Sequence, residues 1–365
     1  MPYDKRAVKR ALCVVHRQPS YAVKLVLQGT VTCGLVGWIL RDQELDRQLL
    51  STVSHANWWW LFAAAAVYGL VEILGAVRWH LLLRHFKFDL HWTEATRLLL
   101  LAIFFNTLLP GLIAGDALRA VYLRRRFPDL KTGAVLVVVY ERILGLGGLI
   151  ALSASTMWLR AEWLHRSAAS GHLADLALAC LAIGGATAIL SLVAAQCRSG
   201  KRWFTRNEFR SSDANSSAWN VSSLAVVLGS TLLAHLCYGV SFYCTARALS
   251  PSHAPSILDM LTLTPIVNTF TSLPISLSGI GVRESLLQVL LHDLCGLPGA
   301  VGVLVGSLGF AIRALWAIAG ILVLACCHRL NWNECIGHLA IEVRKKHRFA
   351  MQPQNTRPVT ALQRT

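Results

Sequence analysis

Eight ionised residues stand inside the long apolar runs of this 365-residue chain: Glu72, Asp116, Arg119, Glu141, Arg142, Arg283, Glu284 and Arg313. At bilayer depth each costs at least about 2.5 kcal/mol on insertion scales, so each needs a counter-charge or a wet cavity. An arginine offers a permanent charge on a planar fork that grips phosphate through two N–H bonds. If Arg119, Arg142, Arg283 and Arg313 converge, they make a midplane anion site suited to a phospholipid or polyprenyl-phosphate headgroup. Asp116, Glu141 and Glu284 would then tune its charge or release the ligand. The signs are mixed, so the alternative is internal pairing that only holds helices together. Glu141 and Arg142 point about 100° apart on a helix and cannot simply pair with each other. One arrangement sends Glu141 to an arginine elsewhere and leaves Arg142 for a separate carboxylate.

Two of the apolar stretches that carry these residues are interrupted at matching places. The first reads Asn106-Thr107-Leu108-Leu109-Pro110-Gly111 and runs on to Gly115-Asp116 and Arg119. The second has Asn268-Thr269, Pro274, Ser276 and then Ser278-Gly279-Ile280-Gly281-Val282-Arg283-Glu284. A broken helix survives at membrane depth only where it is buried in protein or lines a polar cavity, because free N–H and C=O groups find no water in hydrocarbon. Such breaks, paired between two halves of a chain, mark binding sites at the bilayer midplane.

Composition requires the membrane setting. The chain is 55% apolar and only 15% charged, with a mean hydropathy of +0.50, against about a quarter charged residues in soluble domains. Apolar stretches near the roughly 20 residues needed to span fall at 21–40, 57–79, 132–157, 172–195, 221–247 and 300–327, with the interrupted stretches 97–123 and 257–292 between them. Residues 41–56 and 158–171 read as polar connections. The formal charge of +16 is gathered in short loops and at the ends, where Lys and Arg set topology rather than bind nucleic acid.

Charge also sets orientation. Lys5, Arg6, Lys9, Arg10 and Arg17 put the N-terminus in the cytoplasm, ahead of an uncleaved first span. Arg84, Lys87 and Arg97 bring the chain back inside, and Arg124, Arg125, Arg126 and Lys131 demand the same side. The stretch between them is therefore a re-entrant hairpin turning near Pro110-Gly111. A cytoplasmic tail with Arg329, Arg344, Lys345, Lys346 and Arg348 makes 257–292 a second hairpin, opposed to the first. The expected fold is an all-α polytopic membrane helix bundle with about six full spans and two opposed re-entrant helical hairpins. Its inverted-topology halves are about 1–160 and 170–328, and residues 329–365 form a basic cytoplasmic tail. Pro110 and Pro274 should approach one another near the membrane centre.

Other chemistries leave no signature. The ten cysteines lack a C-x-x-C pair and read as small buried hydrophobes; the thirteen histidines lack ligand spacing, so neither a metal nor a cofactor is expected. His235, inside an apolar run, reads as packed and hydrogen-bonded rather than as a ligand. Trp58-Trp59-Trp60 reads as an interfacial anchor. Neither a nucleophile elbow nor a Walker loop occurs, and nothing around Asp116 or Glu284 selects acid–base catalysis over ion pairing. The chain reads as a non-enzyme whose partners are membrane lipids, with room for a homo-oligomer or a lipid-modifying enzyme beside it.

Three motifs together resemble a family. Asn106, Pro110-Gly111, Gly115-Asp116, Arg119 and Tyr122-Leu123, then Glu141-Arg142 and Gly145, then Leu273-Pro274-Ile275-Ser276, Gly279, Gly281 and Arg283-Glu284 occur in the order found in the flippase-like membrane family related to the transmembrane domain of lysylphosphatidylglycerol synthases. Arg78-Trp79 with Leu82-Leu83 is similar too, and the likeness covers about residues 20–328. Position 114 is Ala where the family often has a second Gly. The resemblance implies a bacterial inner-membrane protein, with both termini cytoplasmic, that moves an amphiphile between leaflets. The amphiphile would be an aminoacylated phospholipid or a glycolipid carrier. Bifunctional relatives continue into a soluble acyltransferase-like domain, whereas here only residues 329–365 follow, so lipid aminoacylation is not carried over.

Overall fold

The computed structural model describes residues 19–39, 41, 43–108, 114–199, 221–273 and 275–326. Pro110, Gly111 and Pro274 lie outside the described residues, as do the N-terminal arm, the loop 200–220 and the tail from 327. Residues Leu25–His328 form one compact unit, and among the described residues it is helical without a strand.

The helices are α1 (Pro19–Ile39), α2 (Gln43–Ser54), α3 (Trp58–His85), α4 (Trp92–Leu108), α5 (Ala114–Arg126), α6 (Lys131–Leu159), α7 (Ala168–Ser199), α8 (Val221–Leu249), α9 (Ile257–Ser272), α10 (Val282–Cys295) and α11 (Gly299–Cys326). Among the described residues, five segments are long and apolar enough to cross a membrane: Trp58–His85, Pro128–Leu159, Ala168–Thr187, Ser222–Leu249 and Gly299–Gly320. The expected first span is helical, as α1, but is not one of these five. Their outer faces carry exposed Leu70, Ile73, Ile183, Leu233, Leu315 and Leu322, an apolar exterior that a soluble protein does not tolerate. This is a multi-pass membrane protein.

Residues 41–56 are not merely a polar connection. Leu45, Leu49 and Val53 recur at the i, i+4 spacing of one helical face, and α2 forms there. Its Leu49 settles against Ala300 and Val303 of α11.

Each long helix has a local reason to start or a close partner. Asn57 caps α3, its Oδ1 accepting the Trp59 N–H at 3.0 Å, as an Asn at that position does. The bundle is centred on α3 and α8. Ser241 Oγ donates to the Ala64 carbonyl at 2.9 Å, and Tyr68 and Tyr238 stack obliquely with ring centroids 6.2 Å apart. Where helices approach closest, small residues allow it. A Cβ on Gly302 of α11 would fall 2.5 Å from Gln288 Cα of α10, and one on Gly148 of α6 would fall 2.7 Å from Thr231 Cγ2 of α8. Beside Gly148, His235 is hydrogen-bonded through Nε2 to the Gly145 carbonyl at 3.0 Å, a packed histidine as its sequence context implied.

The two interrupted stretches each form a pair of antiparallel helices. In the first, Gly115 near the start of α5 lies against Ala102 of α4, while Tyr122 further along α5 donates its hydroxyl to Glu94 near the start of α4. Helix α4 is described to Leu108 and α5 from Ala114. In the second, Gly279 at the turn lies against Thr271 near the end of α9. The far ends of α9 and α10 are both tied to the α6–α7 connection, Asp259 by Arg160 at 2.6 Å and Asp293 by Ser167 at 2.7 Å. Ser256 and Asp259 complete a capping box at the start of α9, which satisfies two orphan N–H groups.

Candidate functional site

The first helical pair delivers a carboxylate and an arginine to α6. Gly115 lets α5 close on α4: its N–H donates to Asn106 Oδ1 at 2.8 Å, and a Cβ there would sit 2.1 Å from the Ala102 carbonyl oxygen. Asn106 Nδ2 lies 3.4 Å from Asp116 Oδ1, so one amide side chain orders both the turn and the acid after it. Asp116, in the first turn of α5, accepts from Arg119 at 2.5 Å through Oδ1 and from Arg142 at 2.5–2.6 Å through Oδ2. Arg119 also donates to Glu141. Glu141 and Arg142 thus go to different partners, as two neighbours on one helix must.

Arg78 extends this network from α3, 3.5 Å from Glu141 and 3.4 Å from Thr231. Trp79, its neighbour, lies under the Arg119 guanidinium at 4.4 Å, a cation–π contact. Three guanidiniums therefore face two carboxylates. Arg119 is only 3% exposed, while 55% of the Arg142 side chain is open, so the network reaches the exterior through Arg142. Arg78 and Trp79 entered the sequence reading only through the family likeness. The physical signal was present, since Arg78 is an arginine inside a 28-residue apolar helix.

The second helical pair is built differently. After α9 the chain turns through Leu277–Gly279, with Gly279 and Gly281 at φ +78° and +85°, backbone that side chains other than glycine rarely adopt. The Gly281 N–H donates to Glu284 Oε2 at 2.6 Å, which occupies that carboxylate locally. Arg283 is 2% exposed. It donates to the Ser278 carbonyl at 3.3 Å through Nη2 and lies 5.4 Å from the Phe310 ring, yet its Nε and Nη1 are buried without a hydrogen-bond partner among the described residues. Ser276 Oγ and Thr107 Oγ1 are buried and unpartnered as well. Asn268 is part of α9, where its carbonyl accepts from Ser272 at 2.7 Å.

The two pairs touch. Ser278 Oγ donates to the Thr107 carbonyl at the end of α4, at 2.9 Å. α1 joins them: Thr32 Oγ1 accepts the Leu277 N–H at 2.9 Å, and Leu35 lies against Gly281.

The four arginines fall into two groups by their contacts. Arg119 and Arg142 are drawn to Asp116 and Glu141, because a carboxylate buried without a partner costs more than a closed ion pair. Arg283 and Arg313 instead lie near Tyr68, and Glu72 faces both the Tyr68 hydroxyl and Arg313. No cluster of three or more His, Cys, Asp or Glu that could hold a metal occurs among the described residues.

A search among curated proteins returns no match. The family description "Lysylphosphatidylglycerol synthase TM region" matches residues 25–323, which takes in both helical pairs and every ionised residue just placed. On that coverage the chain belongs to the lysylphosphatidylglycerol synthase transmembrane-region family.

Proposed function

We propose that the protein is a flippase-like transporter that moves the headgroup of a membrane amphiphile between leaflets while the acyl chains stay in lipid. The amphiphile is an anionic or aminoacylated phospholipid, a polyprenyl phosphate or a glycolipid. The observation that carries this reading is the Ser278–Thr107 contact of 2.9 Å, because it joins two broken helices with buried ionised residues on either side. Polar backbone and charge at such a place are expected where a substrate crosses.

In this reading α4–α5 and α9–α10 are opposed re-entrant hairpins, the chain has six full spans, and its halves form an inverted repeat. Helix neighbours support the repeat. Exchanging α3 with α8, α4 with α9, α5 with α10 and α6 with α11 turns each neighbouring pair into another that is also in contact: α4–α11 becomes α9–α6, and α5–α6 becomes α10–α11. Loop charge argues for both termini in the cytoplasm, and the family likeness implies a bacterial inner membrane. Without a bound nucleotide in the cycle, movement follows the lipid gradient or is driven by potential or protons. The protein performs no covalent chemistry on the lipid.

A second reading, a non-transporting scaffold for a lipid-modifying enzyme or glycosyltransferase, is favoured by one fact. Arg119 has both terminal nitrogens on carboxylates, so that network is already closed. Proteoliposomes separate the two readings. The full chain should make inner-leaflet fluorescent phosphatidylglycerol accessible to an external quencher, faster than protein-free vesicles do. Equal rates with and without protein, across phospholipid, polyprenyl-phosphate and glycolipid probes, sink the transport reading.

A further inference from the structure

We propose that the ligand's oxyanion is held by Arg283, together with the hydroxyls of Ser276 and Thr107, where the two helical pairs touch, and not by the Arg119–Arg142 network. This rests on the transport reading for the ligand being a membrane lipid; the anion chemistry stands on the residues themselves.

Buried donors are normally satisfied, and a buried guanidinium with idle N–H groups is unfavourable unless something supplies the acceptors. Arg283 is such a group, with Nε and Nη1 unpartnered at 2% exposure. Two carboxylates of the same region are engaged elsewhere: Glu284 accepts from the Gly281 N–H, and Glu72 faces Arg313 and Tyr68. Arg119, whose Nε is likewise unpartnered, differs in having a carboxylate on each terminal nitrogen.

Two further buried donors belong to the same place. Thr107 and Arg283 both contact Ser278, one through its carbonyl on Ser278 Oγ and the other through Nη2 on the Ser278 carbonyl, and Ser276 precedes Ser278 by two residues. The free hydroxyls of Thr107 and Ser276 rotate to donate. An arginine with two idle N–H groups and two hydroxyls matches the several acceptor oxygens of a tetrahedral phosphate better than a single carbonyl. A lipid phosphodiester and free phosphate share that chemistry. Gly279 is part of the fit, because a Cβ there would sit 3.2 Å from Arg283 Nη2 and 2.8 Å from Thr271 Cβ.

The test is lipid retention by the purified full chain in detergent, comparing phosphatidylglycerol with diacylglycerol of the same chains. The parent protein should retain the phosphate-bearing lipid preferentially, and Arg283→Gln should reduce that retention at least about tenfold, as loss of charge-assisted hydrogen bonds does. Thermal unfolding is followed on the same samples, and Arg283→Lys, which keeps the charge without the fork, should retain an intermediate amount at an unchanged midpoint. Equal retention by the parent, Gln and Lys proteins overturns the proposal, as does loss of retention in Arg142→Gln with Arg283→Gln unaffected. Inorganic phosphate added at millimolar concentration decides the source. Failure to displace phosphatidylglycerol supports a lipid phosphodiester, and full displacement overturns the lipid assignment in favour of free phosphate. Charge-dependent retention without translocation by the parent leaves the Arg283 site standing and removes the transport reading; translocation undiminished in Arg283→Gln does the reverse.

Discussion

The two broken helical pairs carry similar residues toward one place, yet they treat their arginines in opposite ways. On the first, Arg119 is fixed between Asp116 and Glu141 and lies on Trp79. On the second, Arg283 is buried with two nitrogens idle. The difference teaches what each pair is for. A closed network of two carboxylates and three guanidiniums locks α5 to α6 and α3, which gives rigidity. An arginine left open in a glycine-rich turn is unfavourable in the empty protein and becomes useful once an anion arrives.

Stability measurements break this comparison most directly. Arg119→Met leaves Asp116 with Arg142 and Glu141 with the longer Arg78 contact, and loss of one member of a buried ion pair costs about 3–5 kcal/mol. Arg283→Met removes a buried charge with no carboxylate on it, so its desolvation penalty goes with it and no partner charge is left uncompensated. Reversible unfolding in mixed micelles should therefore show a large drop for the first and no drop for the second. Equal losses would mean that Arg283 has a structural partner after all and that the contrast is false.

The turns sharpen the same contrast. A Cβ at Gly115 would meet the Ala102 carbonyl oxygen at 2.1 Å, and backbone cannot swing away, so Gly115→Ala should cost about 2–3 kcal/mol as an overpacked contact. Gly281→Ala faces φ +85° and the Leu35 side chain at 2.7 Å. That contact is to Leu35 Cβ, so α1 itself must give way, over a smaller overlap than at Gly115, and the backbone adds strain of about 1–2 kcal/mol. The same unfolding assay ranks them. A larger loss for Gly281→Ala would place the rigid element in the second pair instead of the first.

Much of this was legible before any coordinates. Pro and Gly inside apolar runs marked both stretches as interrupted, because unpaired backbone is so costly in hydrocarbon, whereas Asn268-Thr269 lie within α9 and the turn expected near Pro110-Gly111 lies outside the described residues. The 100° step between Glu141 and Arg142 predicted that they take separate partners. What could not be read was which charges meet across the bundle. Sequence counts guanidiniums, but pairing is decided by distance among α3, α5 and α6: Arg119 and Arg142 take carboxylates, Arg313 lies near Glu72, and Arg283 keeps two idle nitrogens. Arg78 and Trp79 were undervalued for the same reason, since their role appears only when α3 lies beside α5. Helix α2 was missed because its polar residues outnumber its apolar stripe.

The smallest expected effect bears on whether the two pairs act as one unit. Ser278 Oγ to the Thr107 carbonyl is the direct hydrogen bond described between the α9–α10 turn and α4, and such bonds within membranes average about 0.6 kcal/mol. Ser278→Ala should therefore lower stability by no more than that, well below Arg119→Met, because the first pair keeps its own ion network and the second its ties from Arg160 and Ser167. Two independent bodies lightly in contact would behave this way, and a transporter needs such a weak joint for the pairs to move relative to one another. A loss from Ser278→Ala comparable to that from Arg119→Met would show instead that the pairs are a single rigid unit, which fits a scaffold and not a moving site.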